Sequence, residues 1–152
     1  MKSKILLPLI VLIVFCNTDF AYSKDAFYIE KLLYNENDKN IWVKEYIYIN
    51  KESNLIDKAY NVFFNLFKTS SNKDIYNFPE NIKINKIYIN DDILVLDVTE
   101  DILNYIGGSR QDIIYNDMLV KNAFNIDKKI KNIDLLINGE KTYLKNGLIV
   151  GV

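Results

Sequence analysis

The chain contains no histidine and a single cysteine, Cys16. Every His-based triad and every His-containing zinc or iron site is therefore excluded. Beyond Cys16 the chain has no thiol nucleophile, and Ser53, Ser70, Ser71 and Ser109 sit where caps and loops are expected rather than beside an activating base. Carboxylates remain, since a pair of acids can hydrolyse a glycoside unaided. Asp91, Asp92, Asp97, Glu100 and Asp101 cluster around one apolar run. The plainer reading is that Asp91 and Asp92 solvate a turn while Glu100 and Asp101 open a helical turn, where acids suit the positive end of the dipole. The same cluster lacks the spacing of an EF-hand, and no cofactor or metal is expected. Gly107-Gly108-Ser109 precedes a helix but carries neither a Walker lysine nor GxGxxG spacing, so it reads as a loop that lets the chain reverse.

A different chemistry is available to Trp42, Tyr46 and Tyr48. Strand alternation places them on one side of Ile41–Ile49 and Ile41, Val43, Ile47 and Ile49 on the other. Only the aliphatic side is plainly core. An exposed aromatic row would stack on sugar rings of peptidoglycan or form a protein contact. The alternative is that the aromatics pack beneath helices.

The elements that must position these residues follow from pattern. Phe27–Tyr34 and Ile41–Ile49 read as a hairpin around the polar stretch Asn35–Asn40. Ser53 or Asn54 caps a helix whose apolar positions Leu55, Ala59, Val62, Phe63 and Leu66 recur at helical spacing. Thr69–Pro79 is an irregular connection. Lys83–Ile89 and Ile93–Thr99 form a second hairpin, the latter strand central because it is apolar on both faces except at Asp97. After a helical turn at Asp101–Ile106, Ser109-Arg110-Gln111-Asp112 has the form of a capping box opening a helix to about Asp127. Lys131–Ile137 is a strand, and Asn138-Gly139 turns it into Lys141–Leu144. The order predicts an α+β fold, a mainly antiparallel sheet with two helices packed on one face.

The N-terminal segment reads as an export leader. Lys2 and Lys4 precede the apolar run Ile5–Cys16, and Ala21-Tyr22-Ser23 supplies small residues for cleavage after Ser23. The run is shorter than the roughly 20 residues that span a bilayer, so residues 1–23 are expected to be a signal peptide, with a short N-terminal membrane anchor as the alternative. Cys16 closes the run where a lipoprotein would be acylated, but bulky Phe15 stands before it where small residues are usual. Residues 24–152 then form one domain, and the 49% hydrophobic content across the chain is enough for one core. Without the leader the formal charge moves from −1 to −2. No basic field remains to bind nucleic acid or anionic lipid, so membrane proximity would come through the leader alone.

The blocks LLYNENDKNIWV, AYNVFFNLFK, NFPENIKINKIYINDDILVLDVTEDI and NAFNIDKKIKNIDLLINGE resemble the GerMN domain of GerM-type sporulation and spore germination proteins. Asp97, Val98 and Thr99 take the places of the family's strand-ending aspartate, apolar and hydroxyl residues. The chain departs at Thr69-Ser70 and Lys128-Lys129, where the family often has Gly-Pro and Pro-Gly. The resemblance implies an exported, extracytoplasmic, membrane-associated domain similar to ring-building motifs, with no catalytic residues. Envelope or sporulation proteins would be its partners, with weak self-association through sheet edges.

Overall fold

A computed structural model of the chain describes residues 24–33, 41–72 and 74–150. The expected leader, Cys16 and the Asn35–Asn40 turn lie outside the described residues. The architecture is α+β: strands Lys24–Leu33 (β1) and Ile41–Asn50 (β2), helix Leu55–Leu66 (α1), strands Ile84–Asn90 (β3) and Ile93–Val98 (β4), a 3-10 turn at Glu100–Leu103, helix Ser109–Ile126 (α2), and strands Asn132–Ile137 (β5) and Glu140–Lys141 (β6).

Two sheets form where one was expected. β1 and β2 make an antiparallel ribbon, and β3-β4-β5-β6 make a four-stranded sheet. Its pairs are antiparallel except β4–β5, which is parallel. The reason is the connection: α2 carries the chain from one end of β4 back to the other, the crossover that parallel strands require. β4 is central, as its nearly continuous apolar run predicts.

Alternation along the four-stranded sheet decides what it covers. Leu94, Leu96 and Val98 of β4 face the same way as their β5 partners Ile133, Leu135 and Ile137. All six are buried in one core with Phe63 of α1 and Met118 and Leu119 of α2. α1 packs on β3 and α2 on β5, so both helices cover this face. Val95 is buried outside that core, on the opposite face between Tyr88 and Asp134.

α1 begins at Asn54, whose Oδ1 accepts from the Asp57 N–H at 2.9 Å. Replacing Asn54 with alanine is expected to cost about 1 kcal/mol in urea denaturation, with Asn54→Ser recovering most of it. At the other end the Lys31 ammonium, buried beneath the ribbon, donates to the Lys68 carbonyl at 2.9 Å and pairs with Glu45 at 3.0 Å. A cation here suits the negative end of the helix dipole and ties β1, β2 and α1 together.

Candidate interaction surface

The acids singled out by the sequence divide between the two ends of β4, Asp91 and Asp92 before it and Asp97, Glu100 and Asp101 at or just after its end. Asp91 and Asp92 form the β3–β4 turn, Asp91 with a positive φ of 55°. Asp97 lies at the far end of β4, about 17 Å away along an extended strand. That exceeds the roughly 5–9.5 Å between the carboxyls of a glycosidase. Asp97 instead accepts the Gly139 N–H at 2.9 Å, pinning the Asn138-Gly139 turn, in which both residues have positive φ. Asp101 accepts from the Thr99 hydroxyl at 2.9 Å and from the Asn104 side chain at 3.3 Å. These bonds give the acids positions in turns, and among the described residues no cluster of acids could hold a metal ion.

The glycines also act through the backbone. Gly108 is the N-cap of α2 and makes no side-chain cap bond, so the capping box expected at Ser109-Arg110-Gln111-Asp112 does not form. Asp112 turns inward instead, for reasons its partners make clear. Its Oδ1 accepts from the Tyr105 hydroxyl at 2.5 Å and the Asn146 side chain at 2.8 Å, and its Oδ2 accepts the Asn146 N–H at 2.8 Å. Burial pushes this carboxyl up, but the hydrogen bonds from Tyr105, Asn146 and the Leu148 backbone outweigh burial and hold it below its ordinary value. Burial and the bond to Asp112 raise the Tyr105 phenol, which therefore stays a donor. The Lys145 N–H reaches the Tyr105 oxygen at 3.0 Å and its ammonium reaches the Tyr105 carbonyl at 2.6 Å. This network pulls the chain after β6 toward α2, which is why the last strand ends at Lys141 rather than running to Leu144 as its sequence predicts.

The aromatic row of β2 is the candidate that faces solvent. Tyr46 is 67% and Tyr48 71% exposed, whereas Trp42 is partly buried against the core. Their cross-strand neighbours are Tyr28 for Tyr46, Ala26 for Tyr48 and Leu32 for Trp42. Tyr28 and Tyr46 meet edge to face with centroids 6.4 Å apart, and the Lys44 ammonium stands 4.0 Å over the Tyr28 ring. Lys121 lies 4.7 Å over Trp42 and is itself drawn to Glu30 at 3.7 Å. The result is a half-docked tryptophan beside two exposed tyrosines, bordered by two lysines. Trp42, Tyr46 and Tyr48 do share a side, as alternation predicts, but their environments differ.

Asn122 was not singled out by sequence reasoning, though it decides how this ribbon is held. It is completely buried; its Oδ1 accepts the Glu30 N–H at 2.9 Å while its Nδ2 donates to the Glu30 carbonyl at 2.8 Å. Asn125 reaches the Glu30 carboxylate at 2.7 Å. The signal lay in the stripe Met118, Leu119, Asn122, Ala123 and Ile126: one amide in an otherwise apolar series.

No family model and no curated protein matches the sequence. Solved structures do match. The tandem GerMN domains of the sporulation protein GerM from Bacillus subtilis superpose with a TM-score of 0.64 at 19% identity, over 89% of this chain and 46% of theirs. The chain thus spans about half the length of that tandem structure. The first GerMN domain of the same protein gives a TM-score of 0.61 at 14% identity, over 82% of this chain and 93% of that one. The fold is of the GerMN type, an α+β arrangement of two helices with an antiparallel ribbon and a mixed sheet.

Proposed function

We propose that the chain is a non-enzymatic, exported structural domain of the cell envelope, working through protein contacts in sporulation or spore germination. The observation that carries this reading is the GerMN-type fold, shared with two structures of a sporulation protein. The apolar leader predicted at residues 1–23 supports export, and the exposed aromatic ribbon supports a contact surface rather than a pocket. A shallow cleft of about 250 Å³ between Lys141, Thr142, Tyr143 and Ile149 is smaller than ordinary ligand sites, which run from about 300 Å³.

Immunolabelling of the epitope-tagged chain through growth and sporulation tests the reading. Signal at the membranes around the forming spore is the expected result. Even signal around the wall of growing cells would overturn it.

A second reading, binding of peptidoglycan glycan, is favoured by the exposure of Tyr46 and Tyr48 beside Trp42. Stacking on sugar rings uses such flat, amphipathic faces. If it holds, the parent chain is retained on purified peptidoglycan, and Tyr46→Ala with Tyr48→Ala lowers retention about tenfold while leaving stability within about 0.5 kcal/mol. Absence of retention by the parent ends this reading.

A further inference from the structure

The backbone of the ribbon points to its own partner. Glu30 gives both its N–H and its carbonyl to Asn122, so both point away from β2, and Glu30–Lys44 is a non-hydrogen-bonded pair of the ladder. The Leu32 carbonyl agrees, since it accepts the Tyr76 N–H at 2.8 Å. Alternation then turns the N–H and carbonyl of Trp42, Lys44, Tyr46 and Tyr48 outward along the free side of β2. Among the described residues β2 pairs only with β1, and that register runs from Lys24–Asn50 to Leu33–Ile41 without a shift. β2 contains no proline. An edge this regular is usually guarded against pairing, and here the guard is the central, exposed pair Lys44-Glu45.

We propose that β2 pairs antiparallel with β2 of a second copy about a two-fold axis at Tyr46. This rests on the assembly role above and names its contact. A two-fold edge must complement itself. Because side chains of like face must stay together, the axis has to fall on a residue, and three central choices exist. An axis at Lys44 sets lysine against lysine, and one at Glu45 sets glutamate against glutamate; like charges directly opposite destabilise a ladder. The axis at Tyr46 sets Tyr46 against Tyr46, Lys44 against Tyr48, Glu45 against Ile47 and Val43 against Ile49. Lysine over tyrosine is an attraction that Lys44 already makes with Tyr28. The charges that guard the edge thus select one register and reject its neighbours. The ladder stops near Asn50, whose carbonyl is taken by Ser53, so about six backbone bonds join the copies. So short a contact is reversible and concentration-dependent, the kind that a second partner can reinforce.

The test uses the full chain carrying Cys16→Ser, so that an introduced cysteine is the one thiol. Opposed Cα atoms at a hydrogen-bonded pair lie about 5.5 Å apart, within reach of a disulfide. Under mild oxidation Tyr46→Cys is expected to give covalent dimer about tenfold faster than Lys44→Cys or Glu45→Cys. Tyr46→Pro removes an outward N–H, sparing the β1–β2 ladder, and is expected to raise the dimer dissociation constant about tenfold in sedimentation equilibrium, with unchanged circular dichroism. Faster cross-linking at Lys44 or Glu45, or equal rates at all three, overturns the register. A parent that self-associates equally with and without Tyr46→Pro overturns the β2 pairing but leaves the assembly role standing. A parent that stays monomeric overturns the pairing, and the assembly role then rests on the immunolabelling result alone.

Discussion

Replacing Asn122 with leucine is expected to lower stability by about 3 kcal/mol, a fall in melting temperature of about 10 °C. Leucine keeps the branching of the amide but is bulkier, so overpacking around Met118, Ala123 and Ile126 adds to the loss. The larger part comes from β1: the Glu30 N–H and carbonyl, both satisfied by Asn122, would be left in a buried position without partners. Each such group costs about 1–3 kcal/mol, and the apolar gain of leucine offsets only part of that. The Nδ2 bond to the Met118 carbonyl is lost as well, at little cost because that carbonyl belongs to the helix ladder. Urea denaturation gives the magnitude, and hydrogen exchange gives the place: the Glu30 amide should exchange fastest relative to the parent. A loss below about 0.5 kcal/mol would mean that the ribbon is held by its apolar contacts alone.

That one amide also explains what pattern alone did not show. Strand and helix order was legible throughout, because Leu55, Ala59, Val62, Phe63 and Leu66 keep helical spacing and the strands alternate. The central place of β4 was legible for the same reason: a strand buried on both faces cannot alternate. The number of sheets was not. A side chain on α2 takes the hydrogen bonds that a neighbouring strand would otherwise take from β1, and Tyr76 takes the next. Long-range bonds between partners 92 positions apart leave no local trace beyond a polar residue in an apolar stripe. The parallel β4–β5 pair was implicit in the β4-α2-β5 order but was masked by hairpins on either side.

The candidate surface was legible as a parity and not as an environment. Residues 42, 46 and 48 had to share a side, yet only position in the fold separates Trp42, held by Lys121 against the core, from Tyr46 and Tyr48 in solvent. The acids teach the same point from the other direction. Asp101 bonds to its near neighbours Thr99 and Asn104, whereas Asp97 and Asp112 are committed to the Asn138-Gly139 turn and to Asn146 by distant bonds that neighbouring sequence does not specify. The outward backbone groups of β2 depend on the same Asn122 contact, so the hidden amide that separates the ribbon from the main sheet also fixes which edge is offered to a partner.

Asp112→Asn is expected to destabilise the chain by about 3 kcal/mol at neutral pH, and the loss should shrink in acid. Asp112 is 1% exposed and accepts on both oxygens, from Tyr105, from the Asn146 side chain and backbone, and from Leu148. An asparagine keeps one acceptor and turns an NH₂ toward N–H donors on the other side, so at least one of them is left unsatisfied. Charge-assisted bonds are also exchanged for neutral ones. The pH dependence has a definite sign. The folded carboxyl is held below its ordinary value of 3.8, so the folded state binds fewer protons than the unfolded chain in the window beneath it. The stabilisation from this group is therefore fully present above that ordinary value and is lost as pH falls through the folded one. Parent and Asp112→Asn should differ by a constant amount from about pH 5 to 8 and converge below 3.8 in urea denaturation at each pH. A gap that stays constant into acid would show that shape at this position, and not the carboxylate, fastens the segment Leu144–Leu148 to α2.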